Sequence, residues 1–245
     1  MAKRNKDILH TEERDELRLN KMLSDMGICS RRQADELIAS GKVTVDGQVA
    51  VTGMKVTRES KIVVAGKEAK QDRSLVLIAL NKPRGIVCTT DQREPDNVID
   101  FLHYPKRVFP IGRLDKDSEG LLLLTNDGDL IDAVMRGVNR HEKEYIVKVN
   151  KELTEEFVRK MSEGVYLPEL KVTTRPCEAE RVGKFTFRII LTQGLNRQIR
   201  RMSEQLGYTV IRLVRIRMGK LTLSPLPCGK WRHLTPEEVQ YIQSI

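Results

Sequence analysis

Apolar and polar positions follow two different periods along this chain. In LRLNKMLSDMGICSRRQADELIASG, Leu19, Met22, Leu23 and Met26 fall on one face of a helix at the i, i+3, i+4, i+7 spacing, and Gly27 can end it. Ser30 with Gln33 three residues on forms a capping box for a second helix, in which Ala34, Leu37 and Ile38 share a face before a stop at Gly41. VTVDGQVA then alternates about Asp46-Gly47, a pair favoured in two-residue hairpin turns. The predicted unit is helix, helix, hairpin.

Residues 1–16 are charged and aperiodic and read as a flexible leader. KEAKQDR is polar apart from one alanine and reads as a linker. The expected organisation is a leader at 1–16, a small domain at 17–66, a linker at 67–73 and a larger domain at 74–245. In the larger domain, strands are predicted at 75–80, 85–89, 120–125, 143–149, 185–193, 208–216 and 220–224, with helices at 97–102, 128–136, 154–162, 195–206 and 235–243. These runs lack a regular βαβ rhythm. An α+β fold with a mostly antiparallel mixed sheet flanked by helices is therefore expected, and a Rossmann fold is not.

Composition narrows the class. With 245 residues, 40% hydrophobic and 31% charged, the chain reads as a soluble globular protein. Its longest uncharged apolar block, LVLIAL at 75–80, falls well short of the ~20 residues that a membrane span needs. The N-terminus has no apolar region of the signal-peptide kind, so a cytoplasmic location is expected. Cys29, Cys88, Cys177 and Cys228 are scattered, as are His10, His103, His141 and His233, so neither a metal nor a disulfide framework is implied. A net charge of +9 makes polyanions the first partners to consider. The charge is concentrated: Arg197, Arg200, Arg201, Arg212, Arg215, Arg217 and Lys220 face a single acid, Glu204, between Gly194 and Lys220.

Against that background GRLDKDSEGLLLLTNDGD, residues 112–129, carries Asp115, Asp117, Glu119, Asp127 and Asp129. Asp115, Asp117, Glu119 and Gly120 match the start of a calcium loop, but Asn126 stands where a bidentate glutamate is required, and the flanks look like strands. Asp127 and Asp129 suit a turn, with Asp129 placed to cap the next helix. A catalytic reading needs a carboxylate kept ionised by a nearby guanidinium, and Arg113 lies two residues from Asp115. Spacing alone leaves Asp115 and Asp117 as alternatives. Elsewhere Tyr145 shares a strand face with Val147 and Val149, the pattern of a core residue, and Arg200 with Glu204 has the spacing of a surface ion pair.

GRLDKDSEGLLLLTNDGDL resembles the signature of the bacterial rRNA pseudouridine synthases, the family containing the small-subunit type A and the large-subunit types B, E and F. LNKPRGIV, HEKEYIV and QGLNRQIRRM resemble further family motifs in order, and EKEY with PIGRLDKDS is most similar to the F branch. The helix, helix, hairpin unit resembles the S4-type RNA-binding module, so the resemblance runs from about Leu17 to His233.

It implies isomerisation of a uridine to pseudouridine without a cofactor, with Asp115 as the catalytic carboxylate. Tyr145 would stack on the base and assist the later proton removal. Arg200 would pair with the carboxylate, and Arg113 would occupy or grip the space around a flipped base. Lys82-Pro83 would be structural. Arg18, Lys21, Arg31, Arg32 and Lys42 of the small domain, with Arg197 and Arg201, would contact RNA phosphates. The expected partner of this monomer is a hairpin of large-subunit rRNA, with small-subunit rRNA or a tRNA anticodon arm as alternatives and no membrane involved. The rival reading is a non-enzymatic RNA-binding factor of ribosome assembly.

Overall fold

The computed structural model describes residues 16–69, 74–138 and 141–245, with side chains 136–138 left aside. The predicted leader, apart from Glu16, and most of the linker lie outside these residues. The chain divides into two compact units, Met1–Ser74 and Leu75–Ile245.

In the first unit β1 (Leu17–Arg18) precedes α1 (Leu19–Asp25) and α2 (Arg31–Ala39), followed by β2 (Val43–Val45), β3 (Gln48–Val49), β4 (Lys55–Val56), β5 (Ile62–Val64) and β6 (Lys67–Glu68). Ser30 and Gln33 form both arms of the capping box of α2. Asp46 and Gly47, both at positive φ, turn β2 into β3, the handedness that matches strand twist. Leu19, Met22, Leu23, Ala34 and Ile38 pack with Val43, Val45 and Ile62 in one core. That burial is what holds two short helices together.

The second unit contains β7 (Leu77–Lys82), α3 (Val98–Leu102), β8 (Phe109–Ile111), β9 (Glu119–Thr125), α4 (Gly128–Val138), β10 (Lys143–Val149) and α5 (Glu155–Glu163). It continues through β11 (Tyr166–Leu167), β12 (Val172–Thr173), β13 (Glu178–Gly183), β14 (Thr186–Leu191), α6 (Gln198–Gln205), β15 (Val210–Met218), β16 (Leu221–Thr222), β17 (Trp231–His233) and α7 (Pro236–Gln243). One mixed sheet runs β13-β14-β10-β15-β9-β7-β17, with β16 on β15 and β8 on β9. Within it only β15 and β9 pair in parallel, and only through Val214 with Glu119 and Arg215 with Gly120. The α+β, mostly antiparallel expectation holds.

The edge of β9 facing β15 changes partner along its length. Glu119 and Gly120 take β15, whereas Leu123, Leu124 and Thr125 take β8. β15 and β8 therefore leave a gap between them, opposite Leu121. Arg215 fills it from the side: its Nε donates to the Leu121 carbonyl at 2.7 Å, replacing the missing ladder bond. Gly120 has φ +104, and a Cβ there would run into the carbonyl oxygen and amide of Arg215, so the closest point of the junction is backbone against backbone.

Three readings change. Residues 85–89 are not a strand, because Lys82 draws the Pro83 and Ile86 carbonyls onto its ammonium at 2.9 and 2.7 Å and curls the segment. α6 begins at Gln198, three residues late, because Arg197 adopts a left-handed conformation at its N-cap. Asp127, not Asp129, caps α4, accepting from the amides of Asp129 and Leu130 at 2.9 and 3.1 Å.

On β10, the nearly buried Glu144 bridges its two neighbouring strands, accepting from Arg188 at 2.6 Å and Arg217 at 2.5 Å. Burial pushes its carboxyl up, but hydrogen bonds from Arg217 and Arg188 outweigh it and hold the group below the usual carboxylate range. A depressed carboxyl stabilises the fold above its unfolded value, near 4.5, and that contribution is lost as pH falls through the folded value. Glu144→Gln should cost about 2 kcal/mol at neutral pH, since both arginines lose their charged partner. Urea titrations should show that difference shrinking below about pH 4; an equal loss at every pH would assign it to packing instead.

Candidate active site

The gap between β15 and β8 opens into a cavity of about 560 Å³, within the size range of small-molecule sites. Asp115, Tyr145 and Arg200 all line it, as do Arg113 and Arg197. Asp117 does not. The hairpin β8–β9 carries its 112–118 turn to the mouth, β10 supplies Tyr145, and α6 supplies Arg200.

The turn holding Asp115 is fastened from three directions. The Lys116 carbonyl accepts from the Gly85 amide at 2.8 Å, the Leu114 amide donates to Cys88 Sγ at 3.3 Å, and the Asp117 carbonyl accepts from Arg200 Nη2 at 2.8 Å. The Asp115 carbonyl itself accepts from the Ser118 amide at 3.0 Å, closing the turn. Each anchor fixes backbone. The half-buried Asp115 carboxylate takes part in none of them.

Arg200 was expected to pair directly with that carboxylate. Instead its donors go to the carbonyls of Val210 and Asp117, and it acts on Asp115 through space. Burial pushes this guanidinium down, with Arg197 adding to the effect and Asp117 and Asp115 opposing it, yet arginine remains charged at any such shift. Its Nε is buried without a hydrogen-bond partner among the described residues. Lys82, wholly buried, adds a second positive charge behind the turn; burial lowers its pKa, against Cys88, Asp115, Glu119 and Asp117.

Asp117 is drawn to the rim, within 3.9 Å of both Arg84 Nε and Arg197 Nη1. Glu119 binds Arg212 at 2.8 Å. Asn126, which ended the calcium reading, accepts from the Val76 amide at 2.8 Å and ties the start of β7 to the end of β9. Geometry thus separates Asp115 from Asp117 where spacing could not. Tyr145 is half-buried and touches both neighbouring cores, so its structural and site readings apply together.

Arg113 and Arg197 are exposed, whereas Arg201 is tied to Asn196 and Glu169. In the small unit Arg18, Arg31, Arg32 and Lys42 are exposed, but Lys21 is only 16% exposed and pairs with Asp25. The sequence reading missed Lys143 and Arg215, both buried in the cavity wall. A bulge hides Arg215: β10 and β15 shift register between Glu144 and Tyr145, so Arg215 turns to the cavity while Arg217, two residues on, turns to Glu144. Among the described residues no group of three or more His, Cys, Asp or Glu side chains is placed to hold a metal, and no helix is long and apolar enough to cross a membrane.

Comparison with known proteins bears on this cavity directly. The RNA pseudouridylate synthase family model matches residues 76–205, and the S4 domain model matches residues 17–62. The dual-specificity RNA pseudouridine synthase RluF of Escherichia coli K12 is 52% identical over 91% of this chain and 77% of its own length. The ribosomal large subunit pseudouridine synthase B of Bacillus subtilis is 39% identical over 93% of this chain and 96% of its own. A pseudouridylate synthase crystal structure superposes with a TM-score of 0.67 at 28% identity, covering 92% of this chain and 99% of that one. The first of these matches takes in the turn that holds Asp115, β8, β9, β10 and the whole of α6, and ends before β15; the chain belongs to the RNA pseudouridylate synthase family.

Proposed function

We propose that Asp115 is the catalytic carboxylate of a uridine isomerisation in which the C1′–N1 bond breaks, the uracil turns, C5 joins C1′ and a proton leaves C5. What supports this is the convergence of Asp115, Tyr145 and Arg200 on one cavity. Attack on C1′, addition to C6 of the ring, and proton abstraction toward a glycal all use the carboxylate in its ionised form, and Arg200 and Lys82 are the cations that interact with it through space. The phenol face of Tyr145 stacks on the base. Arg113, at the open side, fills or grips the position of a nucleotide drawn from its stack.

The substrate we propose is a hairpin of large-subunit rRNA. Exposed Arg18, Arg31, Arg32 and Lys42 of the small unit and Arg197 of the large one bind its phosphates; Lys21 and Arg201, held by intramolecular partners, contribute less. Residues 17–66 thus deliver RNA to a catalytic domain at 74–245, in a cytoplasmic monomer that uses no cofactor. Small-subunit rRNA and a tRNA anticodon arm are the alternative substrates. Relatives named dual-specificity RNA pseudouridine synthases favour more than one RNA target without naming which.

With RNA tritiated at uracil C5, Asp115→Asn should lose at least about 1,000-fold in tritium release. Asp117→Asn should stay within about tenfold, because Arg200 uses the Asp117 carbonyl and not its carboxylate. Equal losses would undo the assignment. Replacing Arg31 and Arg32 together by alanine should raise KM about tenfold, leave kcat unchanged and flatten the salt dependence of binding; a fall in kcat alone would contradict a binding role.

A further inference from the structure

The cavity wall contains two cations that the proposed chemistry has not used. Lys143 and Arg215 are 6% and 3% exposed, and both line the cavity with Asp115 and Tyr145. The guanidinium of Arg215 is anchored through Nε on the Leu121 carbonyl, and its Nη2 is buried with no partner among the described residues. A buried donor left unsatisfied is costly, and one held in a substrate cavity points to an acceptor on the substrate. The nearby acid Glu144 is turned away to Arg188 and Arg217.

Depth distinguishes what these cations meet. Arg113 and Arg197 are exposed where a phosphate backbone can pass. Lys143 and Arg215 are reached only by what enters the cavity, and of a nucleotide flipped from its stack that is the base. We propose that Lys143 and Arg215 hold the carbonyl oxygens of the uracil and stabilise the negative charge that the ring acquires during isomerisation. This rests on the Asp115 reading above and adds to it.

The charge follows from the bonds. When C1′–N1 breaks, its electron pair stays with the ring and spreads over N1, O2 and O4. When C5 bonds to C1′ the pair is returned, C5 releases its proton, and N1 takes one up. If the carboxylate instead adds to C6, the pair displaced from the C5–C6 bond comes to rest on C5 and O4. In each case a carbonyl oxygen becomes more basic than in the substrate, and fixed donors at that oxygen favour the transition state.

Lys143 is also electrostatically poised. Burial and the adjacent Arg215 charge push its ammonium down to about 8. The titratable and charged groups that line the cavity with it are Arg215 from β15, Tyr145 from its own strand, Cys88 from the segment after β7, Arg113 and Asp115 from the turn, and Arg197 and Arg200 from the α6 end; Lys116 is drawn off to Asp96. Its lowered pKa means that the positive charge is lost as pH rises through about 8.

The test is single-turnover conversion by the full chain, using an rRNA hairpin with uridine or 5-fluorouridine at the target. Fluorine stabilises the ring anion, which then needs less help from the protein. Lys143→Met should slow uridine conversion about 100-fold while keeping RNA affinity within about threefold, and Lys143→Arg should recover most of the rate. The Lys143→Met penalty on C1′–N1 cleavage should shrink about tenfold with 5-fluorouridine. Wild-type kcat/KM should fall above about pH 8, and this limb should be absent from Lys143→Arg.

The wild-type profile needs no variant, so a flat profile to about pH 9.5 overturns the inference even if Lys143→Met does not fold. Equal penalties on the two bases, or loss of RNA affinity in step with rate, overturn it as well. An active Asp115→Asn enzyme would instead defeat the reading on which it rests.

Discussion

The catalytic unit depends on one close approach of backbone to backbone, Gly120 of β9 against Arg215 of β15. Among the described residues it is the one parallel strand pairing in a sheet that is otherwise antiparallel, and it lasts two residues on each strand. Because β9 then passes to β8, the sheet opens between β8 and β15, and the cavity lies in that opening. The β8–β9 turn ends at the same place. A carboxylate at position 115 is thereby set at the mouth of a gap whose floor is Arg215, with Tyr145 and Lys143 arriving from β10.

Electrostatics explains the acid cluster in a basic chain. Glu119 is taken by Arg212, Asp117 by Arg84 and Arg197, and Asp127 by the N-terminus of α4. Asp115 is left facing the cavity while Arg200 and Lys82 spend their hydrogen bonds on carbonyls and keep their charge nearby. Backbone anchoring and charge stabilisation are thus carried by the same cations. The turn is anchored while the Asp115 carboxylate has no direct ion pair among the described residues, a form of preorganisation suited to a site that must accept a bulky nucleotide.

Much of this was legible in the sequence. The helical faces of α1 and α2, the Ser30 capping box and the Asp46-Gly47 turn are local patterns, and local forces decide them. Motif resemblance pointed to Asp115, Tyr145 and Arg200 together, which periodicity did not. What stayed hidden is tertiary. The polar run EAERVG forms β13 because it pairs with β14 at the edge, and Trp231–His233 form β17 by pairing with β7. The register shift that sends Arg215 and Arg217 to opposite sides leaves no mark in a two-residue alternation. Nor does any spacing reveal that Lys82 lies buried beneath the turn.

The most direct test of the account is Gly120→Ala, measured by amide hydrogen exchange on the full chain together with tritium release. The added methyl has no room against the Arg215 backbone. The account expects faster exchange in β9 and β15, unchanged protection in α1 and α2, and loss of at least about 100-fold in turnover. A Gly120→Ala protein with wild-type protection across β9 and β15 and undiminished turnover would contradict it.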